Sequence, residues 1–592
     1  MKPNIVLVIT DDQGYGDLSC TGNPVLRTPH LDRFHDEAVR LTDFHVGPTC
    51  SPTRAGLMTG RHPGRAGVWH TIAGRSIVRQ DVDMLPEILR DAGYATAMFG
   101  KWHLGDNFPY RPTDRGFDHV VQHAAGGITQ QPDFWGNDYF DDTYLVNGEP
   151  RKFDGYCTDV WFDQALGFIE DHVDESPDRP FFCYVSTNAP HSPYNVARKY
   201  AAPYEGKVPP HVARFYGMIA NLDDNFARLR GGLQRLAVED NTIVIFMTDN
   251  GSSCPMVDGQ TGHSTESFNA GLRGGKNSLY DGGHRVPFFV RWPAGGIDGG
   301  RDVEALSSGI DLLPTLIDIC DIESTRDFDF DGVSLREVLH AEEGEASRWP
   351  RRFVVDSQRV LNPVRWRDSA VLTERWRLVD GKALYDIYAD RAQQNNLADD
   401  HPDVVRELRA EYEAWFDRVY ADADQPIPLF LGDPQGPDTV QLNSHDWRYP
   451  SGQTDVVWNQ GQVRQGLALT GFWEVDVRRP GRYRVELHRW AREDQEHTAP
   501  DNVPLELDRE NVDPTYAWFY EGGNDLELTA ARVSLGEIEV SQPIQKADQQ
   551  SVTFELDLPA GYNEMRAEFT LASGETVGAY YVYVTKLPDV EP

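Results

Sequence analysis

Two runs of consecutive apolar residues constrain the fold of this chain more than any other feature. Residues 3–10 read PNIVLVIT and residues 242–248 read TIVIFMT. Both runs lack the alternation typical of a strand with one solvated face, so each predicts a strand buried on both faces. Such strands belong to parallel sheets that are covered by helices on both sides. Residues 95–99 and 181–186 predict two further strands.

Helical patterns alternate with these strands, over residues 82–92, 157–173, 211–236 and 310–320. Strands that alternate with helices favour an α/β fold, in which a mixed, mostly parallel sheet is sandwiched by helices. We assign this fold to residues 1–345. A chain of 592 residues is too long for one ordinary core, and two or three domains are expected.

The remainder of the chain has a different pattern of predicted elements. Short strand patterns and a helix over 402–420 predict a small antiparallel subdomain at residues 346–424. Residues 425–439, rich in proline and glycine, read as a linker. Residues 440–592 contain about seven short alternating runs and predict a β-sandwich accessory domain. Its tryptophans, Trp447, Trp458, Trp473 and Trp490, suit either sugar stacking or a sandwich core, and we favour a structural or active-site-covering role.

Acidic and amide side chains follow the first two buried strands. Asp11 and Asp12 come directly after one strand, and Asp249 and Asn250 come directly after the other. In an open α/β sheet the carboxyl ends of the strands form the edge where ligands bind. Crowded carboxylates would repel one another without a cation, and an all-oxygen ligand set suits a hard divalent ion. We therefore predict a metal site here, with calcium favoured over magnesium.

Basic side chains arrive at the same edge. Lys101 and His103 follow a strand in the sequence GKWHLG, and His191 follows another in NAPHSP. Lys276 ends the glycine-rich segment GLRGGK, whose backbone can approach a ligand closely. The chain contains only nine lysines, so two of them in such segments are hard to assign to an ordinary solvated surface.

The segment Cys50-Ser51-Pro52-Thr53-Arg54 predicts the start of a helix. Proline is tolerated in the first helical turn, and residues four apart lie on one face. Cys50 and Arg54 would then lie together at a helix N-terminus, where backbone N–H groups and the helix dipole favour anions.

Taken together, the segments DDQGYGD, CSPTR, GKWHLG, the PH pair, TDNG and GGK resemble the type I sulfatases, in order and in type. The resemblance is arylsulfatase-like and extends from about Pro3 to the mid-420s. It includes LYDIY at 384–388 and NNLA at 395–398, which look like the family's C-terminal subdomain. It implies the fold of the alkaline phosphatase superfamily.

The resemblance also implies roles for individual residues. A maturation enzyme would oxidise Cys50 to formylglycine, whose hydrate attacks the sulfur of a sulfate ester. A calcium ion would be bound by Asp11, Asp12, Asp249, Asn250 and the modified residue 50. Arg54, Lys101 and His103 would orient and activate the hydrate, and His103 would later remove a proton so that sulfate leaves. His191 and Lys276 would hold the sulfate and the leaving oxygen, and His191 or Lys276 would protonate the departing alcohol.

Two alternatives stay open beside a sulfuric ester hydrolase. One is a phosphonate monoester hydrolase or phosphodiesterase of the same superfamily, and the other is a non-catalytic carbohydrate-binding protein with an unconverted Cys50. For a sulfatase, a sulfated carbohydrate is the preferred substrate, with a simple aryl or alkyl sulfate close behind. The loop FWGNDY at 134–139 is a candidate lining of the leaving-group pocket or ordinary packing.

The charge balance limits the partners. The 93 acidic and 56 basic residues give a formal charge of −37, which argues against nucleic acid and anionic membranes as partners because both need a basic surface. The six cysteines are scattered and do not suggest a disulfide framework. No signal peptide or membrane span is visible, so the chain reads as cytoplasmic as written, and as periplasmic or secreted if a leader was removed.

Overall fold

A ten-stranded sheet lies at the centre of the first region of the computed structural model, which describes residues 2–254, 258–341, 350–450, 452–492, 510–520, 522–545 and 551–588. The strands, in sheet order, are β11 (Asp302–Val303), β2 (Val39–Leu41), β10 (Phe288–Arg291), β9 (Thr242–Thr248), β1 (Asn4–Thr10), β8 (Phe181–Ser186), β4 (Ala95–Lys101), β5 (His119–His123), β6 (Thr143–Val146) and β7 (Glu149–Lys152).

The middle of this sheet is parallel. Strand β1 pairs in parallel with β8 and β9, and β4 pairs in parallel with β8 and β5. Antiparallel pairs occur farther out, where β10 joins β9 and β6 joins β5. Every residue of β4, β8 and β9 is buried, as the continuous apolar runs predict. The carboxyl ends of these central strands therefore meet at one edge.

Helices cover both faces of the sheet. Alternate residues of β1 point to opposite sides, so that Ile5 and Leu7 join one core and Val6 and Val8 join the other. The first core is closed by α2 (Cys50–Thr59), α3 (Leu85–Asp91), α8 (Leu312–Ile319) and α9 (Arg336–His340), and the second by α1 (Pro29–Glu37), α4 (Cys157–Glu175), α5 (Arg198–Ala201) and α6 (Pro210–Arg235). The predicted α/β sandwich is confirmed.

Two smaller elements complete this region. The short strands β3 (Phe44–His45) and β12 (Ser307–Ser308) pair in parallel outside the main sheet. The short helix α7 (Asp281–His284) follows the glycine-rich segment that contains Lys276. No helix in the described part of the chain combines the length and apolar character needed to cross a bilayer.

A four-stranded antiparallel sheet follows in the second region. It consists of β13 (Arg352–Asp356), β14 (Ser369–Thr373), β15 (Trp376–Val379) and β16 (Ala383–Asp386), and α10 (Pro402–Val419) packs on it. This agrees with the predicted sheet with one helix. The predicted boundary at residues 345 and 346 lies outside the described residues, and the domain bounds remain a prediction.

The third region has two sheets around one core. The first contains β17 (Leu429–Leu431), β19 (Trp473–Val477), β24 (Gly561–Leu571), β21 (Leu528–Leu535) and β22 (Ile538–Pro543), with β25 (Thr576–Gly578) paired to β24. The second contains β18 (Thr439–Asn443), β26 (Tyr581–Lys586), β20 (Gly481–His488) and β23 (Ser551–Leu558), and α11 (Gln460–Gln465) lies between β18 and β19 in the chain.

The stretch 425–439, which we predicted to be a linker, contributes to this sandwich. Its strand β17 pairs in parallel with β19, and Leu429 and Leu431 are buried in the common core of the two sheets. Because prolines and glycines surround the short apolar run Leu-Phe-Leu, the sequence alone does not indicate a strand here. Trp447 and Trp473 are completely buried in the same core, which agrees with a packing role for these tryptophans.

Candidate active site

Four parallel strands bring the predicted site residues to one edge of the central sheet. Asp11 and Asp12 follow β1, and Asp249 and Asn250 follow β9. Lys101 is the last residue of β4, which lies next to β8, the direct neighbour of β1. All five side chains are buried. The strand order, which the sequence does not state, places these separate segments together.

Helix α2 begins at Cys50 and points its N-terminus at this edge. Thr49 is extended, with φ −148° and ψ 157°, and Pro52 lies in the first turn, where its missing N–H costs no hydrogen bond. Arg54, one turn later, lies on the same face as Cys50. Both side chains are buried, so a thiol and a guanidinium lie beside the strand ends.

Arg54 connects α2 to three strands. Its Nε and Nη2 donate to Oδ2 of Asp249, at 3.1 and 2.8 Å. Its Nη1 donates to Ser186 Oγ and, at 3.3 Å, to the carbonyl oxygen of Lys101. Ser186 in turn donates to the same carbonyl at 2.7 Å. This network fixes the position of the Arg54 guanidinium.

The acidic residues leave oxygen atoms available. Asp11 Oδ1 and Asn250 Oδ1 are buried and accept no hydrogen bond from any residue that the structure describes. Ligand atoms of Asp11, Cys50 and Asp249 all lie within 4.8 Å of one another. Burial raises the pKa of Asp11 well above its ordinary value, against the opposing charge of Lys101. Buried oxygens without donors fit a hard divalent cation, which would restore the carboxylate form.

Two lysines contact the carboxyl groups of Asp11 and Asp12. Lys101 Nζ lies 2.7 Å from Asp11 Oδ2, and Lys276 Nζ lies 2.7 Å from Asp12 Oδ2. Burial opposes charge on Asp12, but Lys276, with help from His191 and Lys101, holds the pKa of that carboxyl well below its usual range. Asp12 raises the pKa of Lys276 although burial opposes this. Lys276 is therefore fixed as a cation beside the metal-type oxygens.

His191 lies beside Asp12. Its Nε2 is 3.6 Å from Asp12 Oδ2, and its Nδ1 contacts the carbonyl oxygen of Ser192 at 2.6 Å. A carbonyl only accepts, so Nδ1 carries the proton. Burial lowers the pKa of His191 to about 4. The ring is neutral at pH 7, with Nε2 on the side of Asp12.

His103 has the opposite proton arrangement. Its Nε2 contacts the carbonyl oxygen of Thr71 at 2.8 Å, so this nitrogen carries the proton. Its Nδ1 is buried and has no partner among the described residues. Burial, and next the charge of Lys101, lower the pKa of His103 well below its ordinary value. A neutral imidazole with an unpartnered, unprotonated nitrogen is a candidate base.

The unmodified thiol of Cys50 is a weak nucleophile in this setting. Burial raises its pKa to about 11, although Lys101 and Lys276 oppose the shift. All six cysteines, each within the described residues, are free. The geometry thus surrounds residue 50 with cations and metal-type oxygens but does not generate a thiolate, which favours chemistry through a modified side chain.

The structure brings together all ten residues that the sequence predicted for the site, and it adds others. Ser186 and the Thr71 carbonyl orient Arg54 and His103, respectively, and His445 of the third region lies with its ring centroid 6.2 Å from that of His103. A backbone carbonyl or a residue some 340 positions away carries no sequence signal. In the loop 134–139, Trp135 contacts Trp490 edge to face at 5.6 Å, which agrees with packing for this residue, and the Tyr139 hydroxyl donates to the carbonyl oxygen of His191 at 3.4 Å.

Comparisons with known proteins give consistent results. A family model described as Sulfatase matches residues 3–322, and one described as N-sulphoglucosamine sulphohydrolase, C-terminal, matches residues 275–416. The N-acetylgalactosamine-6-sulfatase of Sus scrofa is 31% identical over 359 residues, which cover 57% of this chain and 66% of the relative, just under two thirds. Arylsulfatase G of Rattus norvegicus is 31% identical over 373 residues, which cover 57% and 69% of the two chains.

A solved structure gives the same picture for the fold. Ps i-CgsB in complex with k-i-k-neocarrahexaose aligns with a TM-score of 0.60 and 25% sequence identity, over 70% of this chain and 93% of that chain.

Proposed function

This chain belongs to the sulfatase family, and we propose that it hydrolyses the sulfate ester of a sulfated carbohydrate with a formylglycine derived from Cys50 and a bound calcium ion. The family that the sequence motifs suggested is thereby confirmed. The carbohydrate, the modification and the identity of the ion are the proposal.

One observation carries the proposal most strongly. Around residue 50 the protein collects four oxygen-bearing side chains together with Arg54, Lys101 and Lys276, each of which contacts one of the carboxylates. Buried acidic and basic side chains usually form pairs that leave no polar atom without a partner. Here Asp11 Oδ1 and Asn250 Oδ1 are buried and accept no hydrogen bond from any described residue. A site that combines a cation position with fixed positive side chains suits a reaction in which negative charge grows on sulfonyl oxygens.

The chemistry divides among these groups. Formylglycine, hydrated, offers two hydroxyls on one carbon, one to attack sulfur and one to expel sulfate afterwards. A bound divalent ion lowers the pKa of a coordinated hydroxyl and screens the acidic cluster. Asp11, Asp12, Asp249 and Asn250 would hold that ion.

The protein's own side chains do the rest. Arg54, one helical turn from residue 50, is itself held by two bonds to Asp249, and Lys101 and Lys276 would present their amino groups to the sulfonyl oxygens. Lys276 is the protonated group beside Asp12 and is placed to protonate the departing alcohol oxygen, whereas neutral His191, which carries its proton on Nδ1, does not supply that proton. His103 would accept a proton at Nδ1, because its Nε2 is already committed to Thr71.

The named relatives support a sulfated sugar as substrate. The pig relative is an N-acetylgalactosamine-6-sulfatase, and the aligned structure contains a neocarrahexaose. The net charge of −37 repels heavily sulfated polymers at low ionic strength and is screened at the Debye length of about 8 Å at physiological salt. We therefore favour a short or sparsely sulfated saccharide, or saline conditions.

A substrate screen tests this function. Purified protein from a host that contains the maturation enzyme is assayed with sulfated mono- and disaccharides, an aryl sulfate and an aryl phosphonate. We expect sulfate release from at least one saccharide and from the aryl sulfate. Hydrolysis of the phosphonate faster by orders of magnitude would instead assign the chain to the phosphonate hydrolases, and no turnover of any ester would favour a binding protein.

Replacing Lys276 by methionine tests the cationic side of the site. The variant keeps the length of the side chain but removes the ammonium group beside Asp12. We expect kcat/KM for an aryl sulfate to fall about 10²- to 10³-fold, the cost of removing one preorganised charge stabiliser. Lys199→Met, at an exposed position of α5, is the matched control and should keep full activity. Equal activity in both variants would contradict the role of Lys276.

Removing divalent ions tests the metal site. After dialysis against a chelator, we expect activity to be lost and the melting temperature to fall, because an ion bound only by the folded state stabilises it. The protein should stay folded, since Lys101 and Lys276 keep their contacts with Asp11 and Asp12. Calcium should restore activity better than magnesium, whose octahedral demand an irregular oxygen set meets poorly. Full activity in the chelated protein would contradict the proposal.

A further inference from the structure

A segment of the β-sandwich region reaches the candidate active site. The 3-10 turn Ser444–Asp446 follows β18 directly, and its His445 is only 1% exposed. The His445 ring lies 6.2 Å from that of His103, centroid to centroid. A region that served only as a separate binding module would not need a buried side chain beside a candidate base.

The same segment holds the loop that contains Thr71. The carbonyl oxygen of His445 accepts from the backbone N–H of Ala73 at 2.8 Å. The guanidinium of Arg448 donates to the carbonyl oxygen of Ala73 at 2.5 Å. Both backbone groups of Ala73 are therefore bonded to the β-sandwich region, two residues from the carbonyl that contacts His103.

Apolar packing fixes this loop further. Ile72 and Ala73 belong to the hydrophobic core of the sandwich itself, together with Trp447 and Trp473. Gly74 approaches so closely that a Cβ there would lie 2.9 Å from the carbonyl oxygen of Asp446. The loop is a part of the catalytic region in sequence but is packed as a part of the β-sandwich.

Arg448 is anchored for this task. Its Nε and Nη2 donate to Glu474 Oε2, at 3.0 and 2.7 Å, and Glu474 lies on β19. The backbone of Arg448 forms a two-way bridge with that of Phe472, at 2.8 and 2.9 Å. With only 4% of the residue exposed, the guanidinium is held on one side by the sheet and reaches Ala73 on the other.

The β-sandwich region also contacts a second segment that packs against His103. Gly126 lies against the imidazole, since a Cβ there would fall 2.2 Å from His103 Cε1. Gln130 accepts from the N–H of Gly126 at 2.9 Å, and the next residue, Gln131, donates its side chain to the carbonyl of Tyr580 at 2.7 Å and its N–H to that of Trp458 at 2.8 Å.

We propose that the β-sandwich region is a positioning part of the active site, in which Arg448 and the backbone of His445 hold the loop 71–74 so that the Thr71 carbonyl keeps His103 in one orientation and one tautomer. Arg448 acts through Ala73 and Thr71 and is a positioning residue. The proposal rests on the proposed function for the role of His103 as a base. It gives the accessory region a part in catalysis that does not involve sugar binding.

Arg448→Met tests this assignment in the full-length protein. The substitution keeps the aliphatic stem and removes the bonds to Ala73 and Glu474. Because small displacements of a catalytic group cost about 10²-fold in rate, we expect kcat for an aryl sulfate to fall about 10- to 100-fold. KM should change less than about threefold, since Arg54, Lys276 and His191 do not depend on this loop. Hydrogen exchange of the Ala73 amide should become faster.

The matched control is Arg532→Met. Arg532 pairs with Glu568 across β21 and β24 of the same sheet, and among the described residues its ion-pair partners lie in this sheet and not in the loop 71–74. It should keep normal kcat, KM and exchange at Ala73. Glu474→Gln weakens the bonds between Glu474 and Arg448 but leaves the bond from Arg448 to Ala73, so it should give an intermediate loss of kcat. This second variant keeps the proposal testable if Arg448→Met does not fold.

The outcomes are distinct. Normal kcat in folded Arg448→Met and in Glu474→Gln, or an equal loss in Arg532→Met, would overturn the positioning role. A rise in KM with unchanged kcat would also overturn it and would indicate substrate binding by this region. Absence of sulfate hydrolysis in the wild-type protein would contradict the proposed function itself. Faster exchange at Ala73 in Arg448→Met would in that case still show that Arg448 holds the loop 71–74.

Discussion

Replacing Cys50 by alanine is expected to reduce kcat by at least about 10⁴-fold while the protein stays folded, because the change removes the reacting group and no other. Cys50 lies at the start of α2 and is 2% exposed, and the smaller alanine fits the first helical turn without a new polar contact. Arg54, Lys101 and Lys276 keep their acidic partners. Residual activity would come from their electrostatic field alone.

Cys183→Ala is the control for this prediction. Cys183 lies in β8 with no exposed surface, and burial raises the pKa of its thiol well above the ordinary value, as expected of an inert core thiol. The variant should be somewhat less stable and fully active per folded molecule. Activity near the wild-type level in Cys50→Ala, measured with circular dichroism to verify the fold, would remove residue 50 from the mechanism.

The second large effect is expected for Asp249→Ala. Asp249 is completely buried, belongs to the set of ligand atoms within 4.8 Å, and accepts two bonds from Arg54. Its loss removes a metal ligand and leaves a buried guanidinium without its main partner, which costs about 3–5 kcal/mol of folding stability. We expect bound calcium, measured by elemental analysis, to fall well below one ion per chain, and activity to fall at least about 10³-fold.

Asp281→Ala separates the two effects. Asp281 is equally buried and pairs with Arg377 at 3.1 Å, in a network with Asp43 that joins the first and second regions. Its removal should also cost stability because it leaves the buried Arg377 with Asp43 as its remaining carboxylate partner. The calcium content should not change. An equal loss of calcium in both variants would mean that Asp249 acts through folding and not as a ligand.

Several elements could be predicted from the sequence because their signals are local. The runs at 181–186 and 242–248 are strands with the predicted bounds, and the helix that starts at Cys50 follows from Pro52 and the spacing to Arg54. The strand-end positions of Asp11 and Asp249 follow from the apolar runs at 3–10 and 242–248. Parallel pairing of β1 with β9 then brings these two residues together, which is a property of all open α/β sheets.

Other features depend on tertiary contacts that no local pattern encodes. The pairing of Arg54 with Asp249, and of Lys101 with Asp11, is decided by strand order and not by spacing along the chain. The sequence around β17 is typical of a linker, because prolines surround its three apolar residues. His445 was not singled out, since it lies in a region whose alternating pattern indicates only a sandwich, and its place beside His103 arises from the interface between two regions.

The most direct test of the account is the chemical state of residue 50 in active protein. Tryptic cleavage after Arg40 and Arg54 releases the peptide 41–54, and mass spectrometry of this peptide distinguishes cysteine from formylglycine. We predict that the fraction of aldehyde, varied by expression with and without the maturation enzyme, is proportional to the rate of sulfate release. Full sulfatase activity in protein whose residue 50 is entirely cysteine would contradict the account.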